Sequence, residues 1–288
     1  MFDIKKYKIA SSVKEAISLL AKNPNAKLIA GGTDVLIKLR HGKEEFANLV
    51  DIHNLTELKF IEKDSDGTIK IGSGMEFANL ATNKIILKDV PVLSTASSSV
   101  GGPQIRNTAT IGGNLCNGAP SADSAASLLV LDAILELEGA TGIREISIND
   151  FYIGPGKTEI KQTEILKTIK IKKKNYLQFG ASYYKYAMRK AMDIATIGCA
   201  AALKMNNDKI ENLKIAFTVA APKPKRCKTA EDFAKGKVLS EKLTEKIAEL
   251  VMEDLSPRDS WRAAKDFRIH IIQTLAKKVI ADASKFAV

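Results

Sequence analysis

Apolar residues first fall into a pattern at Val13, Ala16, Ile17 and Leu20, the spacing of one helical face. Ser12 and Glu15 stand where a capping box would start that helix, each side chain serving the other's backbone N–H. Lys27-Leu28-Ile29-Ala30 is a short, mostly apolar run halted by Gly31-Gly32, and it predicts a buried strand. Residues 48–52 and 68–71 read as further strands, 91–100 as a helix with proline near its start, 124–131 as a helix, and 134–137 as a strand.

The pattern changes past residue 175. Residues 179–189 and 193–204 read as long strands, with Asn206-Asn207-Asp208 as a hairpin turn between the second of these and a strand at 214–221. After Pro222 and Pro224 the chain reads as helices. Ser240 caps one that runs to about Glu253, and the last spans 261–283 with Ala264, Phe267, Ile271, Leu275 and Val279 on one side. A three-stranded antiparallel sheet with helices on one face is an α+β module. The chain therefore divides into domains at 1–175 and 176–288, a length greater than one compact core usually needs.

The net charge is +11, which raises the question of an acidic partner or nucleic acid. The densest basic runs are residues 167–174 and 223–228. In the first, Ile165, Leu166, Ile169 and Ile171 interleave with the lysines, as in a strand with one wet face. No RNA-binding or helix-turn-helix signature accompanies either run, so both read as solvated surface and no nucleic-acid partner is expected. No apolar run approaches a membrane span, and the first ten residues lack the apolar core of a secretory signal. Cys116, Cys199 and Cys227 are far apart, with no CxxC, so neither a zinc site nor an iron–sulfur cluster is expected from this chain. Reduced thiols in the cytoplasm are the simplest reading.

Two glycine pairs carry the candidate chemistry. Ala30-Gly31-Gly32-Thr33-Asp34 follows a buried strand, and Ala109-Thr110-Ile111-Gly112-Gly113-Asn114 repeats the device. Paired glycines let successive N–H groups turn toward one anion, and Thr33, Thr110 and Asn114 add side-chain donors. Two ordinary tight turns are the plain alternative. Gly72-Ser73-Gly74 begins like a dinucleotide fingerprint but has Phe77 at its third glycine position. Gly156-Lys157-Thr158 mimics the end of a P-loop, yet Phe151 stands where the first glycine belongs and Pro155 removes a donor. There is no GxSxG elbow, and His41, His53 and His270 have no metal spacing; His53 reads as a strand-end residue.

The two glycine loops, taken with the segments around them, resemble the FAD-binding subunits of the molybdenum hydroxylases. Residues 101–107 lead into the second loop and 116–123 follow it. Residues 151–158, 185–189 and 193–199 continue the likeness in order, and 260–265 resemble the xanthine dehydrogenase branch in particular. The resemblance implies a two-part FAD domain of the vanillyl-alcohol-oxidase type, followed by a small α+β domain. FAD would lie between the two parts, its pyrophosphate and ribityl chain held by Lys27, Leu28, Ile29, Ala30, Gly31, Gly32, Thr33, Asp34, Ala109, Thr110, Ile111, Gly112, Gly113 and Asn114. Val100 and Leu166 would pack near the cofactor. Asp123 would accept from ribose hydroxyls, its alternative being a helix cap, and Lys185 would lie beside the isoalloxazine ring, its alternative being an exposed strand lysine.

The first loop offers no histidine, so FAD is expected to be non-covalent. The 4-hydroxybenzoyl-CoA branch carries an inserted cysteine-bound cluster, for which this chain lacks the cysteines. By the same resemblance a large subunit would hold the molybdopterin and a small subunit two 2Fe–2S clusters, in a dimer of heterotrimers. Electrons would pass from the clusters through FAD to NAD+. No catalytic acid or base and no metal ligand is expected in this chain. The rivals are a flavin subunit for another hydroxylase of the family, a stand-alone flavin oxidoreductase, and a basic interaction module with glycine turns.

Overall fold

The computed structural model describes residues 3–287; Met1, Phe2 and Val288, which the expected domain spans include, lie outside the described residues. The opening unit comprises β1 (Lys6–Ile9), α1 (Val13–Lys22), β2 (Lys27–Ile29), α2 (Val35–Arg40) and β3 (Asn48–Asp51). β3 runs parallel between β1 and β2. α1 buries the four apolar residues whose spacing predicted it. Its cap departs from the expected box: Ser12 Oγ accepts from the Glu15 N–H at 3.1 Å, but Glu15 accepts from the Ser11 N–H at 2.7 Å. Ser11 offers its hydroxyl to the same carboxylate, so the glutamate gains two charge-assisted bonds where the box would supply one.

The next unit begins with β4 (Ile61–Lys63) and β5 (Ile69–Gly72). Short helices follow: α3 (Phe77–Thr82), α4 (Lys84–Asp89), α5 (Pro91–Ser98), α6 (Pro103–Arg106), α7 (Ile111–Cys116) and α8 (Asp123–Val130). It continues with β6 (Ile134–Gly139), β7 (Gly142–Ser147), α9 (Ile148–Phe151), β8 (Tyr152–Gly154), β9 (Lys157–Thr158) and β10 (Glu164–Ile171). The strands pair antiparallel in the order β4-β5-β10-β6-β7. β10 is central and buries Ile165, Leu166, Ile169 and Ile171. Its lysines are matched across the sheet, Lys167 with Glu138 at 2.6 Å and Lys170 with Glu136 and Glu145. Two lysines of the basic run are thus halves of cross-strand pairs. A bulge interrupts β10 between Leu166 and Thr168, and the Lys167 carbonyl there accepts from the Ser73 N–H at 3.0 Å.

The last unit comprises β11 (Gly180–Tyr186), β12 (Ile197–Asn206), β13 (Lys209–Thr218), β14 (Lys225–Arg226), α10 (Lys228–Ala234), α11 (Glu241–Asp254) and α12 (Lys265–Ser284). The two-residue β14 extends the expected three strands to β11-β12-β13-β14, all antiparallel. Asn207, at φ 55°, turns the hairpin between β12 and β13. Helices cover both faces of this sheet, where one face was expected. Ala200 and Ala202 of β12 join Tyr183 and Ala216 in the apolar cluster that includes α5 and α8, while Ile197, Cys199, Ala201 and Leu203 join the cluster of α10, α11 and α12. The reason lies in the strand itself, which is apolar at successive positions and has no polar face to offer water. α12 starts at Lys265, later than expected, because Ser260 and Ala263 bridge and Asp259 accepts from the Lys265 N–H at 2.7 Å. Phe267 therefore lies off the buried stripe, 44% exposed, with Arg268 buried in its place. Among the described residues no helix is long and apolar enough to cross a membrane.

A buried ionic cluster ties the C-terminal turn of α8 to β13, β14 and α10. Asp132 accepts from Lys214 at 2.6 Å and Arg226 at 2.7 Å, and Arg226 also pairs with Glu231. Burial alone would raise the Asp132 carboxyl, but Arg226 and then Lys214 outweigh it and hold it below the usual carboxylate value. A depressed folded pKa contributes stability above the unfolded pKa and loses it as pH falls. Asp132→Asn keeps the shape and suits the φ of 44°. It should lower unfolding stability in urea by about 1.5–3 kcal/mol near neutral pH. The gap from the parent should be full near neutral pH, begin to narrow as pH falls below about 4, the free carboxylate value, and close only below the depressed folded value; a gap that does not narrow with falling pH would contradict the charge argument.

Candidate functional site

A cavity of about 950 Å³ opens where the opening unit, the loops of the second unit and residues 189–194 and 261–262 of the last unit meet. Lys27, Leu28, Ala30, Gly31, Gly32, Thr33, Asp34, Val100, Ala109, Thr110, Gly112, Gly113, Asn114, Asp123 and Leu166 all line it. Ile29, Ile111 and Lys185 do not. The side chains of Ile29 and Ile111 turn into apolar clusters, Ile29 with Leu39 and Leu49, and Ile111 fully buried in the large core.

The first loop begins where the sheet's hydrogen bonding ends. The Ile52 N–H donates to the Ile29 carbonyl at 2.9 Å. Beyond it the N–H groups of Gly31, Gly32, Thr33 and Asp34 have no hydrogen-bond partner among the described residues. Four consecutive free N–H groups on a cavity wall suit an anion. Gly31 is glycine for another reason: a Cβ there would stand 1.9 Å from the Thr108 carbonyl oxygen. The two glycine loops touch backbone to backbone.

The second loop is unlike the first. Its N–H groups are already used: Ile111 donates to the Met75 carbonyl at 3.0 Å, Gly112 to that of Ser73 at 2.8 Å, and Asn114 to that of Thr110 at 3.0 Å. Gly113 donates to Thr110 Oγ1 at 3.1 Å, making Thr110 the N-cap of α7. The expectation that both pairs aim N–H groups at one anion therefore holds for the first loop alone. Gly112 meets a packing demand, since a Cβ would come within 2.5 Å of Ser73 Cβ. Gly113 has only Thr110 Oγ1 near its missing Cβ, at 3.0 Å, and leaves room on the cavity side. Asn114 Oδ1 accepts from Ser124 Oγ at 2.7 Å, so its amide NH2 is the end left to donate.

Asp123 and Lys185 form one unit. Lys185 Nζ donates to Asp123 Oδ2 at 2.8 Å and to the Ser99 carbonyl at 3.0 Å, and the Tyr183 hydroxyl donates to Asp123 Oδ1 at 3.2 Å. Asp123 is thus no helix cap, and Lys185 is neither exposed nor a free charge on the cavity wall, because β11 points it at the carboxylate. Burial pushes the Asp123 carboxyl up, against the pull of Lys185 and Tyr183.

The cavity also gathers residues whose motifs failed as nucleotide signatures. Ser73 and Gly74 line it, as do Gly156, Lys157 and Thr158. Their glycines are the feature that marks them in the sequence, although they fit neither a Rossmann nor a P-loop register. His53 lines the wall and its Nδ1 is buried without a partner. Lys38, Arg189, Met192, Asp193, Trp261 and Arg262 complete much of the rim, and only their arrival from separate units makes them neighbours. Cys116 lines the cavity too, but burial pushes its thiol up to about 12, so it is no thiolate nucleophile. Free N–H donors, apolar walls at Val100 and Leu166, and a carboxylate at Asp123 together fit a dinucleotide with hydroxyls, a diphosphate and a ring system.

Lys185→Met should strand the Asp123 carboxylate. Both side chains are about nine-tenths buried, at 10% and 9% exposure, and removing one partner of such a pair costs about 3–5 kcal/mol. A carboxyl whose folded pKa is raised destabilises as pH rises through that pKa. Urea unfolding should show a larger deficit at about pH 8 than at about pH 5; a pH-independent deficit would mean the ion pair is not its source.

The family model for the FAD binding domain in molybdopterin dehydrogenase matches residues 2–173, and that for the CO dehydrogenase flavoprotein C-terminal domain matches 182–283. The chain is 49% identical over 283 residues to a xanthine dehydrogenase FAD-binding subunit of Escherichia coli O157:H7, covering 98% of this chain and 97% of that one. It is 28% identical to the carbon monoxide dehydrogenase medium chain of Hydrogenophaga pseudoflava, covering 95% of each. Among solved structures, a carbon monoxide dehydrogenase from the same organism superposes with a TM-score of 0.95 at 26% identity, covering 100% of both chains. Quinoline 2-oxidoreductase from Pseudomonas putida 86 gives 0.92 at 28% identity, covering 99% of this chain and 98% of that one. With both parts of the chain matched and the two-part fold shared throughout, the chain belongs to the FAD-binding subunits of the molybdenum hydroxylases, a family of oxidoreductases.

Proposed function

We propose that this chain carries FAD non-covalently within a purine-oxidising complex of the xanthine dehydrogenase type, between the 2Fe–2S clusters of a small partner subunit and NAD+. A large partner subunit would hold the molybdopterin, the assembly would be a dimer of heterotrimers, and its place the cytoplasm. The carrying observation is the row of unpaired N–H groups from Gly31 to Asp34 on a cavity wide enough for a dinucleotide. The similarity to a xanthine dehydrogenase subunit supports the branch.

Bound FAD supplies the chemistry, accepting electrons singly and releasing them as a pair. The chain's own residues bind and orient it. The N–H groups of residues 31–34 would take the diphosphate. Thr110 and Asn114 would add side-chain donors, and Val100 and Leu166 would pack on the cofactor. Asp123, oriented by Lys185 and Tyr183, would accept from ribose hydroxyls. Ile29 and Ile111 would act through the backbone positions they anchor. The division into domains at 1–175 and 176–288 belongs to this reading, with the cofactor-binding part first.

Non-covalent binding is tested by acid precipitation of the flavin-loaded chain, with yellow colour expected in the supernatant. Colour left in the pellet would reject it and make His53 the first residue to examine, since it is the cavity's histidine. Gly113→Val should reduce flavin per chain by about tenfold or more, a loss near 1.4 kcal/mol, with the melting temperature little changed. Gly112→Val should instead lower the melting temperature, because its side chain meets Ser73. Reversed outcomes would exchange the roles of the two glycines.

A second measurement concerns the division of labour. The isolated, FAD-loaded chain should oxidise NADH with an artificial acceptor and leave xanthine untouched. Xanthine turnover without partner subunits would overturn the assignment.

A further inference from the structure

Cations reach the cavity wall from all three units, the last contributing Arg189 and Arg262. Lys27, Lys38, Lys157 and Lys161 line the same wall. Lys27 Nζ lies 3.4 Å from Gln162 Oε1, next to Lys161. Lys38 Nζ donates to Asn117 Oδ1 at 2.6 Å. Asn117 adjoins Gly118, whose carbonyl accepts from the Gly156 N–H at 2.9 Å, and Lys157 follows. In the chain, Lys27 precedes the first glycine loop and Lys38 follows it.

Lys38 differs from the other three in how it is held. It stands on α2, which leads out of the first loop, and its amide partner follows directly on α7, which carries the second. The bond therefore spans the two loops. The ammonium also lies 4.7 Å from the centre of the Phe46 ring. The side chain is half-buried, yet it makes no ion pair within 4 Å among the described residues. Burial lowers its pKa; Asp34 and Glu45 oppose this, while Lys43 and Lys27 add to the lowering. A partly desolvated cation with no carboxylate within 4 Å among the described residues, and only an amide oxygen at bonding distance, is a site that an anion would stabilise.

We propose that Lys38, held across the two glycine loops by Asn117, is the counter-charge for the diphosphate of the bound dinucleotide and sets how tightly the chain retains it. This rests on the reading of the cavity as an FAD site. The N–H groups of residues 31–34 supply direction, and Lys38 supplies charge. Asn117 acts as a positioning residue that keeps the ammonium aimed between the loops rather than into solvent.

The experiment is equilibrium titration of the flavin-free full-length chain with FAD, read by flavin fluorescence, at about 0.05 M and about 0.5 M salt. Lys38→Met should weaken binding by about tenfold or more at low salt. The loss should shrink at high salt, where the parent's charge is screened. Lys38→Arg should stay within about threefold of the parent, and Asn117→Ala should fall between the two lysine variants. If the methionine variant does not fold, Lys38→Gln takes its place. Binding by the uncharged variant within threefold of the parent would overturn the proposal. So would failure of arginine to restore affinity, or a loss that is the same at both salt concentrations, since each would indicate packing on Phe46 rather than charge. Failure of the parent chain itself to bind FAD would instead refute the reading of the cavity.

Discussion

A side chain at residue 31 would stand 1.9 Å from the Thr108 carbonyl oxygen, and one at residue 112 would stand 2.5 Å from Ser73 Cβ. No residue with a Cβ can occupy either place without displacing its neighbours. These two contacts bring together three segments far apart in the chain: the turn after β2, the turn after β5 and the approach to α7. The cavity exists because the segments meet this closely. The contact also explains why the loops share a sequence pattern but not a role. The second spends its N–H groups on Ser73, Met75 and Thr110, and that internal bonding holds the wall against which the first loop rests. The first loop, supported from behind, keeps its N–H groups free.

Charge placement follows the same division between frame and cavity. The Asp132, Lys214, Arg226 and Glu231 cluster lies where the second unit meets the last, and each buried charge in it has an opposite charge at bonding distance. The Asp123–Lys185 pair stands at the same junction but reaches the cavity, since Asp123 lines its wall. Charge there is neutralised before any ligand arrives. Lys38, by contrast, has an amide for a partner. The wall thus carries a carboxylate already paired at Asp123 and an ammonium without a carboxylate partner within 4 Å at Lys38, and an elongated ligand with its negative charge near Lys38 and its hydroxyls near Asp123 matches both.

The last unit shows why the junction is closely packed. β12 is apolar on both faces, and its alanines allow α5 and α8 to pack close on one side while α12 packs on the other. The apolar cluster of the flavin-binding part therefore includes residues of the last sheet. Residues 189–194 and 261–262 reach the cavity rim from this base, one segment entering β12 and the other preceding α12.

Helical spacing at Val13–Leu20, the apolar runs that became β2 and β12, and the paired glycines were legible in the chain because each is local: it depends on residues within a few positions of one another. So was the order of segments that marks the family. Local pattern could not tell which glycine faces a ligand and which faces another loop, because Gly31 and Gly112 answer to Thr108 and Ser73. Nor could it pair Lys185 with Asp123, 62 residues away, or Lys38 with Asn117, 79 residues away. Residues such as Ser73 and Thr158 looked like failed motifs because their partners lie in other segments. The sequence by itself determined the longer periodic elements, the glycine turns and the family, since periodicity and motif order are properties of neighbouring residues, while several short helices and strands around the cavity were not marked by it. Tertiary structure alone decided which N–H groups stay free and which charges meet, because hydrogen bonds and ion pairs depend on distances in space between segments remote in the chain.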